Sequence, residues 1–78
     1  MSNQNPSDQV IDLRRKSAEY YQKAAWYQLL ALDNYRENNL VAAERFAQLS
    51  FDDQMHGMEY AELADAEVSL HLDLELEE

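Results

Sequence analysis

Cysteine is absent from the sequence, and proline and glycine occur once each. Without cysteine the chain has no disulfide, no thiol catalysis and none of the thiolate ligands of a structural zinc site. A single glycine excludes a glycine-rich phosphate loop, and the scarcity of both residues leaves few helix breakers. A chain of 78 residues also has little room for a deep, enclosed active site. We therefore expect one helical domain that is not an enzyme.

Basic residues are missing from the last third of the chain. All six Lys and Arg residues lie in residues 1–51, where six acids balance them. Residues 52–78 hold the other ten of the 16 acids, so they carry the whole net charge of −10. Such a field repels the phosphates of nucleic acids and membranes and speeds encounter with basic surfaces. The charge pattern predicts a basic protein surface as partner, with no direct nucleic-acid or membrane binding.

Long apolar runs are missing as well. The longest apolar stretch, residues 24–32, is interrupted by Gln28 and is too short to span a bilayer. The first five residues have neither the basic region nor the following apolar stretch of a signal peptide. We expect a soluble cytoplasmic protein whose residues 1–5 are disordered.

Helix signals begin directly after that segment. Asn5 is a capping residue type, Pro6 suits the first helical position, and Asp8 lies in the first turn, where the helix dipole favours an anion. These signals predict a first helix over about residues 6–37.

The polar residues 36–39 predict a tight turn, in which Asn38 or Asn39 caps a second helix over residues 40–66. A short connection makes the two helices antiparallel neighbours. The fold class predicted for residues 6–66 is therefore all-α, an antiparallel two-helix hairpin.

The second helix carries a stripe of mostly small residues at spacings of three and four, where another helix backbone can approach closely. Bulky apolar residues flank it, and the apolar surface is wider than one neighbouring helix covers. We therefore expect a homodimer that forms a four-helix bundle. The residues predicted to pack in the hairpin or the dimer are Tyr21, Ala25, Leu32, Ala43, Phe46, Ala47, Gly57 and Ala61.

Residues 67–78 form an acidic tail in which apolar and polar residues alternate from Val68 to Leu76. A period of two is typical of a strand, whereas Leu and Glu favour helix. The tail is predicted either to extend the second helix or to form a short strand. A strand would have to pair with a second copy or with the sheet edge of another protein.

Asp53 and His56 lie three apart on one helix face, a spacing that resembles the carboxylate and histidine pairs of di-iron bundle proteins. That family uses glutamate there and adds glutamates from the facing helices, whereas the nearest carboxylate in this hairpin, Glu19, is about one turn away. Ser50 completes the residue types of a hydrolase triad, but no turn exposes it and no oxyanion site lies nearby. We predict a polar cluster, with no catalytic, cofactor-binding or metal-binding residue.

The order of aromatic and apolar residues over residues 26–49 is similar to that of one tetratricopeptide-type repeat. The residues that carry the similarity are Trp26, Leu29, Leu30, Ala42, Phe46 and Leu49. The family pattern expects a small residue at Leu30, an aromatic at Asp33 and a proline near Gln54, and the chain departs from it at all three. The resemblance implies a helical hairpin and nothing further.

The basic residues Arg14, Arg15 and Lys16 lie on the first helix, which a hairpin brings beside the acidic end of the second. We expect them to pair with Asp12, Glu19 or that acidic end.

The acids after Phe51 are interleaved with large apolar residues, giving a surface that can attract a basic partner and then bury against it. The predicted partner-binding residues are Asp52, Met55, Met58, Glu59, Glu62, Asp65, Glu67, Leu70, Leu72 and Asp73. In size and charge the chain resembles small acidic inhibitors such as phage anti-defence (anti-CRISPR) proteins and antitoxins. Alternatives are a self-assembling structural or adaptor subunit and a dimetal carboxylate bundle enzyme.

Overall fold

A computed structural model describes the backbone of residues 6–77 and the side chains of residues 7–72. It contains two α-helices, α1 (Pro6–Arg36) and α2 (Leu40–Glu77), packed as a hairpin. No strand occurs among residues 6–77. The predicted all-α hairpin is thus confirmed, while the predicted disorder of residues 1–5 lies outside the described part. Neither helix, within that part, has an apolar segment long enough to cross a membrane.

The end of α1 is a Schellman motif. The backbone N–H of Asn38 donates to the carbonyl of Tyr35 (3.0 Å), and that of Asn39 donates to the carbonyl of Asn34 (2.8 Å). This pairing requires a left-handed residue after the helix, and Asn38 adopts a φ of 62°. Asparagine tolerates that conformation better than most residues do, so the chain turns sharply without glycine.

The beginning of α2 follows at once, because the carbonyl of Asn39 accepts the N–H of Ala43 at 3.0 Å. Asn39 is therefore the N-cap position of α2, and Asn38 belongs to the end of α1. The predicted start near Leu40 is confirmed. The first helix ends at Arg36, one residue before the predicted boundary.

The contact between the helices is lined by small residues seven positions apart. Because seven residues make almost two turns, each set forms one line along its helix. The buried lines are Ser17, Ala24 and Ala31 on α1, and Ala43, Ser50, Gly57 and Ala64 on α2. The part of the predicted small-residue stripe of α2 that repeats every seven residues therefore forms the hairpin contact.

Two hydrogen bonds cross this contact from side chain to backbone. The hydroxyl of Ser17 donates to the carbonyl of Gly57 (2.7 Å), and that of Ser50 donates to the carbonyl of Ala24 (2.7 Å). A serine side chain is short, so it reaches a neighbouring helix backbone only where the two helices approach closely. The two bonds also satisfy both buried hydroxyls.

Gly57 allows a tyrosine to lie across α2. A Cβ atom added at this position would meet Cε1 of Tyr21 at 2.9 Å, and its three nearest atoms all belong to that ring. The absence of a side chain at Gly57 is thus matched to the position of Tyr21. Most other helix positions gain about 0.5–1 kcal/mol from alanine in place of glycine.

Aromatic rings close one side of the contact. Tyr20 stacks on Tyr60 with ring centroids 5.7 Å apart, and Tyr27 stacks on Phe46 at 6.1 Å. Phe46 therefore packs across the contact against α1, and Ala43 and Gly57 are buried within it.

The buried face of α1 differs from the pattern of its large apolar residues. Ser17, Ala24 and Ala31 occupy it, whereas Tyr21, Ala25 and Leu32 are exposed beside it. The reason is that close helix approach selects small residues, and the hydroxyl of Ser17 is satisfied by a backbone carbonyl of α2. For these three exposed residues, packing in a dimer remains a prediction.

The acidic tail is helical as far as Glu77, since α2 continues without interruption to that residue. Of the two predicted structures for the tail, the helix extension is correct. The described hairpin offers no sheet edge to a strand, and the leucines and glutamates of the tail are good helix formers.

Candidate functional site

The face of α2 that points away from α1 carries a row of four exposed residues, three acids and one methionine. Asp52, Met55, Glu59 and Glu62 follow one another at spacings of three and four residues, and all four are exposed. We call these four residues the acidic ridge. Among the described side chains, no cation pairs with Asp52, Glu59 or Glu62. Asp52 accepts a hydrogen bond only from the amide of Gln48, at 3.1 Å.

Most of the basic side chains of α1 are already paired elsewhere. Two pair within α1: Arg15 lies 2.9 Å from Asp12, and Arg36 lies 3.8 Å from Asp33. Two pair across the hairpin, Arg14 with Asp65 and Lys23 with Asp53 (3.8 Å). The predicted pairing of the Arg14–Lys16 cluster with Asp12 and the acidic end of α2 is confirmed for the two arginines.

The remaining residue of that cluster, Lys16, lies over the ring of Tyr60, 5.5 Å from its centroid. This contact is on one side of the hairpin and does not reach the acidic ridge. No described ion pair therefore neutralises the ridge, and the nearest base on the same face of α2 is Arg45, seven residues before Asp52.

The structure divides the predicted partner-binding residues among several surfaces. Four form the acidic ridge, and three others, Met58, Asp65 and Leu72, lie on one side of it at spacings of seven. Leu70 is exposed on the same face as the ridge, about three helical turns beyond Glu59. Glu67 is half-buried, with Oε2 3.4 Å from Nε2 of His71. The side chain of Asp73 lies outside the described residues.

A second surface runs beside the ridge, on the side of the hairpin where Arg14 meets Asp65. The Arg14–Asp65 pair lies at one end of this surface and the Tyr35–Glu44 pair at the other. Between the two pairs the surface contains no charged residue. We call this surface the uncharged strip. Its residues are Ala18, Tyr21, Ala25, Gln28 and Leu32 on α1, and Ala47, Phe51, Gln54, Met58 and Ala61 on α2.

Several large side chains of the strip are exposed to solvent in the single hairpin. The exposed fractions are 42% for Tyr21, 47% for Leu32, 55% for Phe51 and 47% for Met58. Five of the eight residues predicted to pack in the hairpin or the dimer lie on this strip. Phe51 and Gln28 also lie on the strip but are not among the predicted residues. Phe51 is seven residues before Met58, and Gln28 is seven residues after Tyr21, so the spacing indicates both.

Tyr35 and Glu44 close the strip at the turn end of the hairpin. The hydroxyl of Tyr35 donates to Oε1 of Glu44 at 2.7 Å. This hydrogen bond, together with partial desolvation and the carboxylate charge, raises the pKa of Tyr35 above its usual 10.0. The pair holds the two helices together beside the turn.

Asp53 and His56 do not converge on a common ligand in the hairpin. Asp53 is 8% exposed and faces Lys23, whereas His56 packs edge-on against the ring of Tyr20 with centroids 5.1 Å apart. Within the described residues, no group of three or more His, Cys, Asp or Glu side chains is arranged to hold a metal ion. The hydroxyl of Ser50 is buried and donates to a backbone carbonyl.

Trp26 is the largest exposed side chain of α1, with 57% of its surface in solvent. Its ring lies 5.2 Å from that of Tyr27, which in turn stacks on Phe46. Of these two aromatics, Tyr27 therefore packs in the hairpin and Trp26 stays accessible.

Comparison with known proteins finds no counterpart: the chain matches no protein family, no curated protein sequence and no solved structure.

Proposed function

We propose that this protein is a non-enzymatic interaction module that binds a basic protein surface through the acidic ridge and blocks it. The observation that carries the proposal is the pairing of charges. The arginines of α1 that form ion pairs use acids outside the ridge, and no described cation neutralises Asp52, Glu59 or Glu62. A row of unpaired carboxylates on a rigid helix attracts a basic partner at long range.

The spacing of negative charge suits a partner that normally binds nucleic acid. Residues 52–78 hold ten acids. Two acids, Asp53 and Asp65, are paired with Lys23 and Arg14 inside the hairpin. The other seven acids of residues 52–77 are spread over about 39 Å at a helical rise of about 1.5 Å, or about one charge per 6 Å. One strand of duplex DNA carries one charge per about 3.4 Å. A line of negative charge of this kind, although sparser than that of a DNA strand, supports a partner whose basic groove normally binds nucleic acid, as expected for the target of an anti-CRISPR-type inhibitor or an antitoxin.

Met55 supplies the apolar contact in the middle of the ridge. It is 41% exposed and lies one turn from both Asp52 and Glu59. Methionine is flexible and polarisable, so it adapts to irregular partner surfaces. Charge brings the partner to the ridge, and burial of Met55 then slows dissociation.

The protein we propose is a cytoplasmic homodimer in which two hairpins form a four-helix bundle. The exposed large residues of the uncharged strip support it, because an isolated hairpin leaves them in water. The same strip favours one alternative function, a structural or adaptor subunit whose only partner is itself. The two functions differ in whether the acidic ridge is needed.

The test compares two triple variants with equal net charge. Asp52→Asn, Glu59→Gln and Glu62→Gln neutralise the ridge, whereas Glu19→Gln, Asp33→Asn and Glu37→Gln remove three acids elsewhere, so each variant carries −7 instead of −10. Basic proteins captured from extract by the wild type are purified and titrated with both variants.

We expect the ridge variant to bind at least tenfold more weakly than the control variant. Equal affinity of the two would contradict the proposal, because net charge alone would then account for binding. A protein that captures only its own copies would support the structural alternative.

A further inference from the structure

We propose that the uncharged strip is the surface on which a second copy of this chain docks. This inference rests on the homodimer in the proposed function and identifies its interface. It assigns a shared role, packing between two hairpins, to Tyr21, Ala25, Leu32, Ala47 and Ala61.

The strip is a continuous surface. An open cleft between the helices is lined by Gln28, Leu32, Tyr35, Ala47, Phe51 and Gln54. Tyr21 adjoins it, since its ring covers the position of a Cβ atom at Gly57. Phe51, Met58 and Leu72 continue at spacings of seven along α2, with Asp65 between the last two.

The distribution of charge favours a second copy of the chain as the occupant of the strip. Each chain carries −10, so two copies repel each other wherever their acids meet. The acidic ridge would place carboxylates near identical carboxylates in a symmetric contact. The strip is free of charge between its two end pairs, and it also offers nothing to a basic partner. Its polar groups are the hydroxyl of Tyr21 and the amides of Gln28 and Gln54, of which Gln54 already donates to Ser50. Each of these groups can both donate and accept a hydrogen bond, so each can pair with a group of a second copy.

The area is adequate for a stable dimer. Arg14 and Tyr35 close the uncharged strip at its two ends on α1, and 21 residues separate them. At about 1.5 Å per residue the surface between them is about 32 Å long, and two helices of about 10 Å diameter make it about 20 Å wide. Both copies together would bury about 1,300 Å², at the lower end of the range of about 1,200–2,000 Å² of specific interfaces.

The alternation of small and large side chains on the strip also suits helix packing. Ala18, Ala25, Ala47 and Ala61 are interspersed with the bulky Leu32 and Phe51. Large side chains of one hairpin would therefore pack over alanines of the other, as in the core of a four-helix bundle.

The acidic ridge stays exposed in such a dimer, because it lies on the outer face of α2 and the strip lies beside it. The dimer then presents two ridges. A partner with two basic sites would be bound with higher avidity than a single hairpin achieves.

The test is the molar mass in solution, measured by size-exclusion chromatography with light scattering. Leu32→Glu with Phe51→Glu places four charges in the dimer contact. The matched control is Leu29→Glu with Val41→Glu, two exposed apolar positions off the strip, at 60% and 77% exposure. Circular dichroism checks that both double variants remain helical.

We expect the wild type and the control to have twice the chain mass of 9.1 kDa, and the strip variant to have one chain mass. A monomeric wild type, or a strip variant that stays dimeric, would overturn the inference. If the strip variant loses helix, cross-linking decides instead, because the chain has no cysteine of its own. Single Ala25→Cys should form a disulfide-linked dimer under oxidation at least tenfold faster than Leu29→Cys, and equal rates would overturn the inference.

The outcome is independent of the proposed partner binding. The ridge variant should remain dimeric while losing its basic partner, and the strip variant should be monomeric while its ridge still binds. Failure of the dimer test would remove the homodimer from the proposed function and leave binding through the ridge standing, and failure of ridge binding would leave the dimer standing.

Discussion

The hydroxyl of Ser50 donates a hydrogen bond to the backbone carbonyl of Ala24, 2.7 Å away on the opposite helix. Ser17 and Gly57 repeat the relationship in the reverse direction. Both bonds depend on backbones that lie close together, and both fix how the two helices are aligned. The alignment in turn places the acidic ridge outward and the uncharged strip on one side, so the two surfaces follow from this small-residue contact.

Enlarging the side chain at Ser50 should separate the helices. The site is 1% exposed, so Ser50→Leu forces extra volume into a closed contact, at a typical cost of about 1–3 kcal/mol in unfolding free energy. Ser50→Ala should cost about 0.5–1.5 kcal/mol for each hydrogen bond lost, since it removes the bond to Ala24 and the one that the hydroxyl accepts from the amide of Gln54 at 3.2 Å, without adding volume.

Urea unfolding at one fixed protein concentration measures both changes, because dimerisation makes stability depend on concentration. Ser69→Leu is the matched control, as Ser69 is exposed on the same helix. If Ser50→Leu were as stable as that control, the close helix contact would be wrong.

Replacing Gly57 by alanine should show whether Tyr21 occupies the missing side-chain position. Alanine in a helix gains about 0.5–1 kcal/mol over glycine. In the wild type, however, its Cβ would meet the ring of Tyr21 at 2.9 Å and displace it. Gly57→Ala should therefore stabilise the protein less in the wild type than in a Tyr21→Ala background. A double-mutant cycle of unfolding free energies measures the difference, and strictly additive effects would refute the contact.

Removing the carboxylate of Glu44 should lower the pKa of Tyr35 toward its usual 10.0, because the hydrogen bond to Glu44 is the main cause of the increase. A ¹³C NMR titration of the tyrosine Cζ resonances compares the wild type with Glu44→Gln, and Tyr35→Phe assigns the signal.

The stability that this pair contributes has a defined pH dependence. A raised pKa favours the protonated phenol in the folded state, so the contribution is complete below pH 10.0 and is lost as the pH rises through the pKa of Tyr35. An unchanged titration of Tyr35 in Glu44→Gln would show that the pair does not form.

The hairpin itself was predictable from local signals. The hairpin is favoured by the scarcity of helix breakers, by the asparagines at residues 38–39 and by the line of small residues on α2. The structure shows two uninterrupted helices, a turn at Asn38 and a buried line of small residues. Such features depend on neighbours in sequence or on one helix face, which a single chain displays directly.

The buried face of α1 was harder to predict because it is polar and small. Ser17 resembles a surface residue until the carbonyl of Gly57 is placed beside it, 40 positions further along the chain. The tail was ambiguous for a related reason, since its alternation matches a strand but the fold supplies no strand to pair with it. The separation of ridge from strip depends on helix alignment, which spacing alone does not determine.

Binding through the acidic ridge is tested most directly by the salt dependence of affinity for the purified basic partner. Ion-pair contacts weaken steeply between about 50 and about 200 mM salt. The wild type and the Glu19, Asp33 and Glu37 control should show the same steep slope of log Kd against log salt concentration. The variant neutralised at Asp52, Glu59 and Glu62 should show a markedly shallower slope and weaker binding at low salt. Equal slopes for the two triple variants would contradict the proposed role of the ridge.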